Sequence, residues 1–179
     1  MKTEDVLKKL KAGNEKYLAE NAFVGEASAQ KRERTAGGQS PYAIVLSCSD
    51  SRVVPEAIFG AGVGDLFTIR VAGNVVCEGA EGSAEYAADH LGVTTAVVLG
   101  HTRCGAVGAA LKGETGGKVG YLTRRIREAI EDETDPHTAC RLNVEANVRK
   151  LRGALGNSGA TVVGAIYDVL SGRVTFLED

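Results

Sequence analysis

No stretch of this sequence stays apolar for the roughly 20 residues a helix needs to cross a bilayer, so no membrane-spanning helix is expected. Neither sign of charge dominates: 21 basic against 23 acidic residues leave a formal net charge of −2, which argues against a nucleic-acid or anionic-membrane partner. The opening "MKTEDVLKKLKAGNEKYLAE" lacks the apolar centre of a secretory signal, and the expectation is a cytoplasmic protein. Internal repeats and low-complexity linkers are also missing. A chain of 179 residues, 44% hydrophobic and 25% charged, then fits one domain over residues 1–179 with a real core. Paired Cys-x-x-Cys motifs do not occur, so the commonest four-ligand structural zinc sites have no source here. In a cytosolic chain the four cysteines, Cys48, Cys77, Cys104 and Cys140, are expected to be reduced, metal-bound or simply buried.

What the sequence does have is glycine, 23 of them, which favours tight turns and close backbone approach. It also has short apolar runs rich in β-branched residues. "YAIVLS" (42–47), "LFTIRV" (66–71), "TAVVLG" (95–100) and "TVVGAIYD" (161–168) are too short for helices and read as buried strands. Helical spacing appears over 3–20, where Val6, Leu7, Leu10, Tyr17 and Leu18 share a stripe, and in a short polar segment over 28–35. These two make an N-terminal helical arm, residues 1–35. Further helices are expected over 79–91, over 103–111, and from about 119 to 152 with a break near Pro136. "GRVTFL" (172–177) follows "VLSG" as the second arm of a hairpin. The fold class is therefore α/β: a mostly parallel four-stranded sheet with an antiparallel fifth edge strand and helices on both faces.

In such sheets ligands bind beyond the carboxyl ends of the strands, so the residues after each run carry the functional reading. The first run ends in "SCSDSRVVP" and the third in "GHTRCGAV". Cys48, His101 and Cys104 thus reach one edge of the sheet on neighbouring loops. Thiolate and imidazole suit zinc, and three protein ligands leave the fourth tetrahedral position open, as in a catalytic site. A carboxylate at Asp50 either fills that fourth position or pairs with Arg52 and accepts a hydrogen bond from a metal-bound water. A Cys–His nucleophile pair within "HTRC" would lack an orienting third group and would leave Cys48 idle. "GAGVG" (60–64) precedes a strand instead of opening a helix after one, which is the wrong context for a nucleotide loop.

"CSDSR" followed by "GHTRCG" resembles the signature of the β-class carbonic anhydrases. The resemblance extends through "GQSPYAIVLSCSDSRVVPE", "DLFTIRVAGN", "GSAEYAADHLGV" and "GAIYDVLSGRVTFL". It implies zinc-dependent reversible hydration of carbon dioxide to bicarbonate by zinc-bound hydroxide. It also implies one Zn2+ per chain on Cys48, His101 and Cys104, with Asp50 and Arg52 as the catalytic dyad. Gln39, Phe67 and Tyr86 match the plant-like branch, in which such side chains line the carbon dioxide pocket, largely from the neighbouring subunit. Gly105 is expected as close-approach backbone beside the metal. The implied partners are the small-molecule substrate and a second copy of the chain, as a dimer or dimer of dimers, with no nucleic acid and no membrane. The tryptophan that precedes the first zinc cysteine in the bicarbonate-locked branch is absent, as is every other tryptophan, so no locked form of that type is expected. Arg70 is common to both branches. Arg103 is bulkier than usual between the ligands and is expected to point to solvent or pair across a dimer. Carbonyl sulfide or carbon disulfide hydrolysis on the same scaffold is the alternative. A non-catalytic zinc-binding or thiol-redox protein fits less well, because a structural zinc gains nothing from an Asp50–Arg52 pair.

Overall fold

A computed structural model describes residues 1–20 and 25–178; residues 21–24, within the expected 1–35 arm, lie outside the described residues. Five strands form one sheet: β1 (Ala43–Ser47), β2 (Leu66–Arg70), β3 (Thr95–His101), β4 (Thr161–Tyr167) and β5 (Val174–Phe176). Their order is β2-β1-β3-β4-β5, with the first four parallel and β5 antiparallel to β4. Every residue of β1 and β3 is buried, which is why both read as unbroken apolar runs. The period of two then sorts their side chains. Ile44, Leu46, Ala96 and Val98 face a cluster built with α4 (Glu78–Leu91) and α7 (Pro136–Ala154), while Val45, Val97 and Leu99 face α1 (Thr3–Glu20) and α3 (Pro55–Ile58). Burying each Val or Leu contributes about 1.5–3 kcal/mol, so these two layers supply most of the driving force.

The remaining helices, α2 (Ala29–Thr35), α5 (Gly105–Leu111) and α6 (Val119–Ile130), follow the expected segments with local differences. The helix expected over 103–111 starts at Gly105, because Arg103 has φ of 56° and Cys104 is extended. The long segment from 119 divides at Glu131, whose φ of 52° stops α6. Asp135 then caps α7 by accepting from Thr138 N at 2.8 Å, with Pro136 in the first turn, where its missing N–H costs nothing. Two elements too short for periodicity to reveal also appear: α3 and a single 3-10 turn at Ala72–Asn74. A methyl group at Gly100 would overlap Val144, so glycine here lets α7 lie close on β3.

The sheet order reverses at β1: β2 lies on one side of it and β3 on the other. The crevice beyond the carboxyl ends of β1 and β3 is therefore the topological switch point of this sheet. A third apolar cluster closes over it, drawn from α5, α6 and the start of α7, and it contains Cys48, Val75, Cys104, Ile126 and Cys140.

Asn14 ties α1 to this frame. Its Nδ2 donates to Ile58 O at 3.1 Å and to Gly172 O at 2.9 Å, and its Oδ1 accepts from Val174 N at 2.9 Å. Asn14→Ala strands three largely buried backbone groups and should cost about 2–3 kcal/mol. In urea unfolding this appears as a lower midpoint with unchanged slope; a loss below about 0.5 kcal/mol would show that water replaces the amide without penalty.

Candidate metal centre

The last residue of β1 is Ser47, and Cys48 follows as the chain turns, with Val53 N donating to Asp50 O at 2.9 Å. Arg70, the last residue of neighbouring β2, clamps this turn. Its Nε donates to Cys48 O at 3.2 Å and its Nη2 to Asp50 O at 2.8 Å. His101 ends β3, and the loop after it is pinned to β4. Thr102 N donates to Tyr167 O at 2.9 Å, Thr102 Oγ1 donates to Asp168 Oδ2 at 3.1 Å, and Thr102 Oγ1 accepts from Val169 N at 3.1 Å. Left-handed backbone at Arg103 then turns Cys104 back toward the crevice and starts α5.

These two loops bring Cys48, His101 and Cys104 together, with their ligand atoms all within 4.8 Å of one another and all three residues buried. Cys48 Sγ and Cys104 Sγ are 4.0 Å apart. Two sulfurs on one tetrahedral zinc at about 2.3 Å each would be about 3.8 Å apart, so the spacing fits. His101 Nδ1 lies 2.9 Å from the carbonyl of Thr102, which only accepts, so Nδ1 carries the proton and Nε2 presents a lone pair. Nε2 is buried and has no hydrogen-bond partner. A lone pair sealed from water costs free energy unless something binds it, and a metal ion is what this donor set suits.

The two sulfurs are coupled. The hydrogen bond between them holds the Cys48 thiol well below its usual range, helped by His101 and by the N–H groups of Asp50 (3.4 Å) and Gly73 (3.2 Å). The same bond pushes Cys104 up, and burial adds to it. A divalent cation does for both sulfurs what the hydrogen bond does for one.

Asp50 is not among the three ligand groups; it pairs with Arg52. Arg52 Nε donates to Oδ1 at 2.9 Å, Nη2 to Oδ2 at 2.7 Å, and the Arg52 backbone N to Oδ1 at 3.0 Å. This guanidinium holds the Asp50 carboxyl well below the usual carboxylate range. Oδ1 is filled by two donors, whereas Oδ2 keeps a free acceptor position and lies 4.0 Å from His101 Nε2. Of the two roles open to Asp50 in the sequence, the structure shows the ion pair.

The other sequence-derived residues lie apart from this cluster within one chain. Gln39 is exposed on the segment after α2. Phe67 on β2 packs with the α4 and α7 layer, its ring centroid 6.2 Å from that of Tyr86, which is 48% exposed and stands 5.2 Å from His90. A Cβ at Gly105, next to Cys104, would meet nothing of this chain within 4 Å. The forced glycine is Gly73, at φ of 69°, where a Cβ would come within 2.7 Å of Ile126 Cδ1 and 3.1 Å of Ala106 Cβ. Gly73 and the clamp role of Arg70 escaped sequence reasoning; the one signal for them was "RVAGN" at the end of the strand beside β1.

The family model described as Carbonic anhydrase matches residues 43–174. A relative from Mycobacterium tuberculosis, Carbonic anhydrase 2, is 43% identical over 126 residues, which are 69% of this chain and 59% of that protein. The carbonic anhydrase of Mycolicibacterium smegmatis is 34% identical over 184 residues, covering 93% of this chain and 89% of the relative. Among solved structures, tetrameric beta-carbonic anhydrases from Sordaria macrospora superpose with a TM-score of 0.68 at 30% identity, covering 84% of this chain and 90% of theirs.

Zinc binding should be stoichiometric with chain, and stripping it with a chelator should lower the melting temperature, because a ligand of the folded state alone stabilises that state. One equivalent of zinc should restore the midpoint. His101→Ala should weaken zinc binding by at least roughly 100-fold, the upper range for loss of a mere supporting partner, and should abolish the zinc-dependent shift in calorimetry. A variant that keeps the full shift would exclude His101 as a ligand.

Proposed function

This chain belongs to the β-class carbonic anhydrase family, and from that premise we propose that it catalyses the reversible hydration of carbon dioxide to bicarbonate with zinc held by Cys48, His101 and Cys104. One observation carries the reading: an ionised carboxylate oxygen of Asp50, with one acceptor position unused, stands 4.0 Å from the unpartnered His101 Nε2. When bound, zinc supplies the Lewis acidity that brings the ionisation of water down to about neutral pH.

The residues of the chain do the orienting. Asp50 accepts an O–H of the attacking water species at Oδ2 and cannot donate in return, so the nucleophile presents a lone pair to the carbon instead of a hydrogen. Arg52 keeps Asp50 in this pose through two side-chain bonds. A further bond from Arg52 Nη2 to Arg103 O, at 3.2 Å, ties the Cys48 loop to the Cys104 loop. As the new C–O bond forms, one carbon–oxygen π pair moves onto a substrate oxygen. The sum is carbon dioxide plus water giving bicarbonate plus a proton, which passes to buffer. The open space around Gly105, next to Cys104, leaves room for the small substrate.

Gln39, Phe67 and Tyr86 complete the pocket in this reading by facing the site of a neighbouring copy in a dimer or dimer of dimers. The exposure of Gln39 and Tyr86, and the position of Phe67 on the edge strand β2, support this role. A cytoplasmic location is part of the same reading, since all four cysteines are free thiols.

Asp50→Asn keeps the shape but replaces an acceptor-only carboxylate with an amide. Stopped-flow carbon dioxide hydration should fall by about 100-fold or more in kcat/KM while one zinc per chain is retained. Activity within about twofold of wild type at full zinc content would overturn the role of Asp50. Zinc-loaded wild type without hydration would overturn the activity.

A further inference from the structure

Helix α7 carries two buried amides that the metal centre does not use directly, Asn143 and Asn147, 1% and 7% exposed. They lie one helical turn apart on the face turned to the 73–76 segment. Asn143 Nδ2 donates to Gly73 O at 2.8 Å, and the N–H of Gly73 donates to Cys48 Sγ at 3.2 Å. Asn147 fixes the orientation of Asn143. Its Nδ2 donates to Asn143 Oδ1 at 3.0 Å and to Asn143 O at 2.7 Å, while its Oδ1 accepts from Val76 N at 2.7 Å. With Oδ1 of Asn143 taken by a donor, its Nδ2 must be the group that faces Gly73. Lys150, one further turn along, donates to Val76 O at 2.8 Å.

Resting on the zinc reading above, we propose that Asn143 and Asn147 are positioning residues for the metal thiolate Cys48. They hold the Gly73 carbonyl, and through it the residue whose N–H points at the sulfur. A turn bond from Asn74 N to Val71 O at 2.8 Å closes this segment, and the α7 amide adds a hold on the Gly73 carbonyl. Gly73 occupies left-handed backbone and can swing more freely than any other residue type. Two thiolates donate strongly to a metal, and an N–H on one of them withdraws charge from it. The amide ladder of α7 thereby tunes the electrophilicity of the centre from outside the ligand set, as supporting partners of metal ligands do. The effect passes through the Gly73 residue: its carbonyl, in the Gly73–Asn74 peptide, accepts from α7, and its N–H, in the Ala72–Gly73 peptide, reaches the metal loop.

Cobalt(II) in place of zinc gives a thiolate-to-metal charge-transfer band whose energy reports charge on sulfur. Asn143→Ala should move that band to longer wavelength and weaken zinc binding by roughly 10- to 100-fold in competition with a chromophoric chelator. Val144→Ala, which removes packing from the neighbouring fully buried position on α7, should destabilise the fold without moving the band. If Asn143→Ala does not fold, Asn147→Ala reads the same link, since it frees Asn143 Oδ1 and the Val76 N–H; a smaller shift in the same direction is expected. An unmoved band with affinity within about twofold of wild type, or an equal shift from Val144→Ala, would overturn the proposal while leaving the zinc site standing. Wild-type protein that takes up neither cobalt nor zinc would overturn both.

Discussion

Everything in this structure depends on placing two sulfurs and one imidazole lone pair in the same dry crevice. Water would solvate each of them separately, and burial removes that solvation before any metal returns it. The fold meets the constraint with rigid elements. Cys48 follows β1 and His101 ends β3, adjacent parallel strands with every residue buried, so their ends cannot drift apart without breaking the sheet. Cys104 comes from the loop after β3, and that loop is anchored to β4 by Thr102 and to the Cys48 loop through Arg52. Both partners of β1 serve the site: β3 supplies a ligand, and β2 supplies Arg70, which holds the carbonyls on either side of the first ligand's turn.

Charge in the crevice is arranged in opposed pairs. The carboxylate of Asp50 is balanced by Arg52, half exposed at the mouth, so the ion pair does not bear the full cost of burial. The sulfurs have N–H dipoles, His101 and one another, and a cation between them is what settles the charge of both. This places the stabilising power of the metal where the sheet is already most rigid, in keeping with a site that orients groups before reaction. The apolar cluster of Val75, Val107, Ile126 and Ile130 around Cys48 and Cys104 keeps water away from the sulfurs and raises the strength of every charge interaction there.

The strands and the metal ligands were legible in the sequence for the same reason. A strand buried on both faces writes itself as a short β-branched run, and the residues that follow it stand at the sheet edge where ligands bind. Cys48, His101 and Cys104 therefore declared themselves through position as much as through chemistry. What escaped were groups that act through the backbone. Gly73 contributes an N–H and a left-handed turn, and Asn143 acts on the carbonyl of that same residue from seventy residues away in the chain. Periodicity in α7 marks its apolar face; an asparagine at the border of that face reads equally well as solvated or as a buried clamp. The glycine that the chain itself crowds is Gly73, whereas Gly105, beside a ligand, has open space on the chain's own side. The division of the helix before Pro136 was visible as a break, but its cause, the left-handed Glu131, was not.

Arg103 shows how a residue can be important at a position where its side chain is not. Arg103 is exposed in the single chain, yet its φ of 56° is a conformation that costs a non-glycine residue on the order of 1 kcal/mol. That backbone twist does two things at once. It reverses the chain so that Cys104, three residues past His101, can face the same point, and the Arg103 carbonyl accepts from Arg52. The guanidinium that orients Asp50 is thus bonded to the loop that carries the second thiolate, and the dyad and the ligand set cannot move independently. Strain at one residue is thus accompanied by a hydrogen bond to a charged donor at 3.2 Å.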